Sequence, residues 1–295
     1  TMCQLGDLPA TIADRAVLRQ GRDDRPNCPD RHRARDPLAF GYLRSYDPLM
    51  SQAAKIRLYL DQPLAKAQTL SLERDQANYL FAVMRLSIGA EILVFNGRDG
   101  EFLAEVVEAN KRAGRLLCRE QTRAVQLPPD LWLIFAPIKK ARTDFIVEKA
   151  TEMGAARIIP VQTEFTNSER IRQDRLQAHA IEAAEQCGGT FVPEVSDLMR
   201  LDRLLAQWPE DRQIIWADEA RVGVAVAFAG PQHSQKWALL IGPEGGFSPR
   251  ERASLSRLPF VTPVSLGPRI LRADTAAVAL LTLFQSHLGD WHDPT

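Results

Sequence analysis

The sequence predicts an α/β protein in two parts, a small β-rich region followed by a larger domain built on a parallel sheet. Residues 55–125 hold short apolar runs punctuated by Asn96-Gly97 and Asp99-Gly100, which are strong turn signals, and one helical stripe. Beyond Pro128-Pro129, continuous apolar runs alternate with helical segments. That is the pattern of strands buried on both faces and joined by helical crossovers. The 295 residues are enough for two domains.

In the first part, strands are predicted at Ile56–Leu60, Glu91–Phe95, Phe102–Val107 and Arg115–Arg119. Ala77, Leu80, Phe81 and Met84 fall at i, i+3, i+4 and i+7, which predicts one amphipathic helix. A small barrel with one helix fits this order. Leu127-Pro128-Pro129-Asp130 reads as a stiff linker. In the second part the strands are Leu131–Pro137, Ile158–Val161, Ile214–Ala217, Ala238–Ile241 and Val261–Leu266. Helices are predicted at about 142–153, 170–187, 248–258 and 272–288. Ser248-Pro249-Arg250-Glu251 is a capping box with proline at the first helical position, so a helix must start there. The last helix is apolar on nearly every side from Ala276 to Phe284. Such a helix is buried all round, either by a second subunit or as a central helix of one chain.

Residues 1–49 differ from the rest. They contain eight Arg, seven Asp and five Pro but no Lys or Glu, and no amphipathic period. This composition predicts disorder over about residues 1–54, with Met50 as the natural start and the preceding residues as an upstream extension. A secretory signal would need an apolar core, and an organellar transit peptide would be poor in acids. No apolar stretch reaches the roughly eighteen residues of a membrane span. Cys3, Cys28, Cys118 and Cys187 lack ligand spacing, and so do the five histidines. Neither a zinc site nor a disulfide framework is implied, which suits a reducing cytoplasm. The formal net charge is zero, so any nucleic-acid-binding face must be local.

Two segments carry the chemistry. Leu240-Ile241-Gly242-Pro243-Glu244-Gly245-Gly246-Phe247-Ser248 and Leu266-Gly267-Pro268-Arg269-Ile270-Leu271-Arg272-Ala273-Asp274-Thr275-Ala276 each follow a strand and lead into a helix. Neither fits a nucleotide-phosphate loop. Singly, each reads equally well as a tight strand-to-helix turn. Together they resemble the ribosomal small-subunit RNA methyltransferase E family of the SPOUT class, with Asp274 where that family usually has Glu. The resemblance extends over about residues 55–290. It includes Lys140–Gly154 and Glu182-Ala183-Ala184-Glu185-Gln186-Cys187-Gly188. Gly189 and Phe165 stand where the family commonly has Arg.

The resemblance implies a PUA-like RNA-binding β-barrel over residues 55–126 and a SPOUT methyltransferase domain over 127–295 with a C-terminal trefoil knot. It implies transfer of a methyl group from S-adenosylmethionine to N3 of a uridine in 16S ribosomal RNA, in the cytoplasm, by a homodimer. The RNA or the small subunit is the partner, with no metal and no membrane. The alternatives are a SPOUT enzyme for another RNA and a non-catalytic assembly protein. Cofactor contacts fall to Ile241, Gly242, Pro243, Glu244, Gly245, Gly246, Leu266, Gly267, Ile270, Leu271, Thr275 and Ala276. Ile241, Leu266, Ile270 and Leu271 would form apolar walls. Glycines would let backbone approach the adenine.

Uracil N3 is itself the nucleophile and must lose a proton, so a base and a stabiliser of negative charge are needed, but no cysteine. Arg272 is the stabiliser. Asp274 is either the base or a helix-terminal charge contact, since the helix dipole would lower its pKa. Glu244 is a ribose acceptor, a base or an arginine partner. Arg57, Arg85, Lys139, Lys140, Arg142 and Arg269 are the RNA contacts, with Arg74, Arg98 and Lys111 as further cations on the barrel. Taken singly, Arg57, Arg74, Arg85, Arg98 and Lys111 each read first as a solvated surface charge.

Overall fold

The computed structural model describes residues 56–167, 170–219 and 235–292. The proposed N-terminal extension and the Met50 start lie outside the described residues.

The first part is a five-stranded sheet. Its strands are β1 (Arg57–Tyr59), β2 (Thr69–Leu72), β3 (Glu91–Phe95), β4 (Glu101–Asn110) and β5 (Ala113–Arg123), in the order β1-β3-β4-β5-β2. Only the β1–β3 pair is parallel. Leu58, Leu70, Leu72, Ile92, Val94, Ala104, Val106 and Leu116 alternate inward and form its core. The β3–β4 turn forms at the expected Asn-Gly and Asp-Gly pairs. Asn96 Oδ1 accepts from the Arg98 and Asp99 amides at 2.9 and 2.8 Å, and Gly97 and Gly100 have φ of 78° and 91°.

Helix α1 (Arg74–Asn78) runs on into a wider π turn, Tyr79–Val83. Ala77 and Leu80 are buried as the stripe requires, but Met84 is exposed. The π turn inserts an extra residue per turn, so the 3.6-residue period no longer returns Met84 to the core face.

The second part is an all-parallel sheet. Its elements are β6 (Leu131–Phe135), α2 (Lys140–Glu152), β7 (Arg157–Gln162), α3 (Gln173–Cys187), β8 (Glu194–Val195), β9 (Met199–Arg200), α4 (Leu201–Leu205), β10 (Gln213–Ala217), β11 (Trp237–Ile241), α5 (Pro249–Leu255), β12 (Val261–Val264) and α6 (Ala273–His287). The strand order is β12-β10-β11-β6-β7-β8, with β9 also pairing β7. Leu131, Leu133, Phe135, Ile215 and Leu239 pack toward α2, α3 and α6. Ile134, Ile214, Trp216, Ala238 and Leu240 pack toward α4 and α5. Both faces are covered, which explains why these strands read as continuous apolar runs. The capping box forms as read: Ser248 Oγ accepts from the Glu251 amide at 3.3 Å, and Glu251 Oε2 from the Ser248 amide at 2.9 Å.

The structure bears on two sequence readings here. The first concerns α6. Leu280 and Phe284 are buried within the protomer, against the sheet and α2. The apolar character of that side needs no second subunit. The side left half-buried carries Val278, Ala279 and Leu283.

The second concerns Arg57, read as a phosphate contact. It lies half-buried between the first sheet and the carboxyl end of α3, and its donors are spent on protein. Nε binds Glu101 at 2.8 Å, Nη1 donates to the Ala184 and Glu185 carbonyls at 2.6 and 2.9 Å, and Nη2 donates to the Gly189 carbonyl at 2.8 Å. Arg123 adds ion pairs to Glu101 and donates to the Gly188 carbonyl at 3.0 Å. Two cations thus sit on the carboxyl end of α3, where the unpaired carbonyls and the helix dipole favour positive charge. Glu185 returns the contact by accepting from the Tyr59 amide at 2.8 Å. The Glu182–Gly188 stretch is therefore where the second part grips the first.

Glu101 and Glu185 respond oppositely to this setting. Burial would raise the Glu101 pKa, but Arg123 and Arg57 outweigh it and hold the carboxyl below the ordinary range. Burial raises Glu185, only partly countered by the Tyr59 amide. The Glu101 contribution to stability is present at neutral pH and is lost as pH falls through its lowered value. The raised Glu185 favours the fold below the ordinary glutamate range and loses that contribution as pH rises through its folded value. Arg57→Met leaves the Glu101 charge short of a partner and is expected to cost about 3 kcal/mol. Glu185→Gln keeps an acceptor for Tyr59 and removes a buried charge, so it is expected to be neutral or stabilising at pH 7. Urea unfolding of both variants at pH 7 checks the contrast.

Candidate functional site

In a parallel sheet every strand ends on the same edge, and the loops after those ends form the natural binding crevice. Here β11 ends at Ile241 and feeds the Gly242–Phe247 turn, while β12 ends at Val264 and feeds Ser265–Leu271. Between them β10 ends at Ala217, followed by Asp218 and Glu219. The three loops enclose one cleft. Ala217, Ile241, Pro243, Leu266, Leu271, Ala273 and Ala276 supply apolar lining, and Asp218, Glu219 and Glu244 supply carboxylates.

The Gly242–Phe247 turn is shaped by packing beneath it. Phe247 is buried edge-on against Trp216, with ring centroids 5.4 Å apart. A Cβ on Gly242 would lie 2.7 Å from the Phe247 ring. Gly246 has φ 68°, closes a turn onto the Pro243 carbonyl at 2.9 Å, and leaves no room for a Cβ beside the Glu219 carboxylate. Gly245 faces the other way: its Cβ would sit 3.2 Å from Cβ of Phe165.

Of the twelve residues assigned to the cofactor, Ile241, Gly242, Pro243, Glu244, Gly246, Leu266, Gly267, Ile270, Leu271 and Ala276 line the cleft. Gly245 and Thr275 do not. Ile270, read as an apolar wall, is 84% exposed and stands at the mouth. Glu244 is exposed on the lining. Arg272 is exposed at the N-cap of α6, just beyond the lining, and Arg269 is exposed on the loop before it. Asp274 is tied down: its Oδ1 accepts from the Thr275 amide at 2.9 Å, and its Oδ2 lies 3.6 Å from Arg142 Nε.

Lys139 and Lys140 are exposed at the start of α2, on the loop after β6. Thr143 Oγ1 fixes that loop, accepting from the Ile138 amide and donating to its carbonyl, both at 3.0 Å. The loop adjoins the β11 turn, since Ala136 donates to the Ile241 carbonyl at 3.0 Å. Arg85 is exposed in the first sheet's α1 region, away from this edge.

The sequence reading missed two acids of the cleft and the arginine that braces them. Asp218 is buried and Glu219 is exposed, and Arg252 of α5 binds both carboxylates. Arg252 also donates to the Phe247 carbonyl at 3.1 Å, so it braces the glycine turn as well as the acids. The signal was available: Asp218-Glu219 follow the apolar run Ile214–Ala217 directly, which puts them at a strand's carboxyl end. Among the described residues there is no His, Cys, Asp or Glu group that could hold a metal, and no helix long and apolar enough to cross a membrane.

A doubly covered parallel sheet with a glycine-turned cleft at its carboxyl edge defines an α/β domain with a small-ligand site at that edge. Residues 125–285 match the model of an RNA methyltransferase domain, and residues 72–116 match an RNA methyltransferase PUA domain. The ribosomal RNA small subunit methyltransferase E of Aquifex aeolicus is 30% identical over 212 residues, covering 70% of this chain and 90% of that protein. The enzyme of the same name from Neisseria gonorrhoeae, solved bound to S-adenosyl methionine, is 27% identical with a TM-score of 0.72, covering 80% of this chain and 99% of that one. A Legionella pneumophila methyltransferase solved with bound SAM is 30% identical with a TM-score of 0.73, covering 80% and 98%. The chain belongs to the ribosomal RNA small subunit methyltransferase E family.

The two positive-φ glycines of the cleft separate conformation from packing. Gly267 has φ 109° and open space around a would-be Cβ. Gly267→Ala is therefore expected to cost only the backbone strain, about 1 kcal/mol. Gly246→Ala also displaces the end of the Glu219 side chain from Arg252 and is expected to cost somewhat more. Chemical unfolding of the two variants checks the order.

Proposed function

We propose that this chain transfers a methyl group from S-adenosylmethionine to N3 of a uridine in 16S ribosomal RNA. The observation that carries the proposal is the convergence of the Ile241–Gly246 and Leu266–Leu271 turns on one cleft at the sheet's carboxyl edge, with exposed Arg269 and Arg272 at its mouth. The cofactor is S-adenosylmethionine, and the cleft fits it. Apolar side chains of Ile241, Leu266 and Leu271 offer walls for a purine, glycine backbone leaves its edge accessible, and Asp218 and Glu219 offer acceptors for ribose hydroxyls. When bound it supplies an electrophilic methyl carbon.

The chain's own residues do the rest. A uracil entering at the mouth meets Glu244, exposed on the lining, as the acceptor for the N3 proton. Asp274 is the poorer candidate, because its oxygens are already engaged, Oδ1 by the Thr275 amide at 2.9 Å and Oδ2 beside Arg142 Nε at 3.6 Å. Arg272 lies beside the negative charge that spreads onto the flanking carbonyl oxygens as the proton leaves. Lys139, Lys140 and Arg269 hold RNA phosphates around the cleft, and Arg85 holds phosphate on the first sheet.

The domain boundaries belong to the same proposal: a PUA-like barrel over residues 55–126 and a SPOUT domain over 127–295, whose two glycine turns are the threaded loops of a trefoil knot. The PUA match and the parallel sheet support it. The enzyme works as a cytoplasmic homodimer, and the half-buried Val278, Ala279 and Leu283 of α6 offer the apolar side for pairing. Mapping methylated uridines in ribosomal RNA from a deletion strain tests the function: one N3-methyluridine should vanish, and an unchanged map would refute it.

Arg272→Ala is expected to lower the single-turnover rate at saturating cofactor and RNA on the order of a hundredfold. Cofactor affinity should change little, since Arg272 is off the lining. A drop in RNA affinity with the saturated rate unchanged would make Arg272 a phosphate clamp.

A further inference from the structure

Phe165 is the large apolar side chain of the loop after β7, and neither the core nor the cofactor cleft uses it. It follows β7 in Thr163-Glu164-Phe165-Thr166, at the same carboxyl edge as the cleft. The loop is fixed from both sides. Thr163 donates its amide to Thr166 Oγ1 at 2.9 Å, and the Thr166 amide returns to the Thr163 carbonyl at 3.2 Å. The Glu164 amide donates to Glu251 Oε1 at 2.9 Å, which pins the loop to the capping box of α5. Between these anchors the phenyl ring remains 40% exposed.

A single exposed aromatic needs no explanation. This one has a specific neighbour. Its Cβ and ring approach the backbone of Gly245, where a side chain would lie 3.2 Å from Phe165 Cβ and 3.7 Å from Cγ. Gly245 is the residue after Glu244, whose carboxylate lines the cleft. The ring therefore packs on the outer side of the turn whose preceding residue, Glu244, lines the cleft. It offers a flat, uncharged face on a loop held by the Thr163, Glu164 and Thr166 hydrogen bonds.

We propose that Phe165 is the stacking platform for the target base. The inference rests on the methyltransferase reading above and adds the residue that holds the uracil plane. A base lifted out of its RNA context loses its stacking partners, and proteins replace them with an aromatic ring or a guanidinium plane. Stacking does not depend on the charge of the base, so it persists as N3 gives up its proton. It also gives Gly245 a reason to be glycine: the ring must lie flush against the loop that carries Glu244. An arginine here would stack through its guanidinium and bind phosphate as well; phenylalanine keeps only the first role.

The test compares full-length Phe165→Ala, Phe165→Leu and Phe165→Trp in single-turnover methylation of small subunits from cells lacking the modification. Calorimetry with S-adenosylmethionine runs beside it. Leucine keeps the apolar packing on Gly245 without a ring. The expected result is a loss on the order of tenfold in saturated rate or subunit affinity for Ala and Leu, with Trp near wild type and cofactor affinity unchanged. Wild-type behaviour of Phe165→Leu would overturn the proposal, as would an equal loss in Phe165→Trp. A matching loss of cofactor affinity would make the ring a prop for the glycine turn and overturn it too. If the wild-type protein transfers no methyl to any RNA, the methyltransferase reading fails, and the platform fails with it.

Discussion

The parallel pairing of β11 between β6 and β10 decides where every loop of the site falls. Because β10, β11, β6, β7 and β12 all run the same way, Asp218, Gly242, Lys139, Phe165 and Leu266 emerge at one edge, although they span more than a hundred residues of sequence. The arrangement depends on burial of both faces. The strands contribute Leu131, Ile134, Ile215, Trp216, Leu239 and Leu240 to two cores, one under α6 and one under α5. Neither helix layer alone would cover strands this apolar.

The second constraint is electrostatic. Arg57 and Arg123 from the first sheet close the carboxyl end of α3, and Glu101 neutralises both. Glu101 is buried and Arg57 mostly so, while Arg123 keeps one side in water, so the value of the cluster lies in geometry as much as energy. Breaking one partner strands the others, whereas intact pairing fixes how the first sheet is presented relative to the cleft. An RNA held on the first sheet is thereby held at a set place relative to the carboxyl edge.

The fold was largely legible because its signals are strong and local. The capping box at Ser248, the Asn-Gly and Asp-Gly turn after Phe95 and the continuous runs Ile214–Ala217 and Ala238–Ile241 all form elements where the pattern puts them. What escaped was short or non-local. β2 has only Leu70 and Leu72 to signal it, and β8, β9 and α4 are two to five residues long. Arg57 reads as a surface cation because nothing in its neighbourhood reveals the carbonyls of residues 184, 185 and 189 that bind it. Gly245 reads as a ligand-approach glycine, yet its near neighbour is Phe165, eighty residues earlier. The apolar periphery of α6 left open a second subunit or a central helix, and the sheet of the same chain fills the side that carries Leu280 and Phe284. In each case the residue type was informative, and the partner was supplied by topology.

The central claim is that this cleft carries methyl transfer to a ring nitrogen of uracil. The most direct measurement uses purified protein, S-adenosylmethionine with an isotopically labelled methyl group, and small-subunit RNA lacking the modification. The RNA is then digested, and the labelled nucleoside is identified by mass spectrometry. The account predicts a single labelled product, N3-methyluridine. A label on a ribose hydroxyl or on another base, or no label in RNA at all, would contradict it.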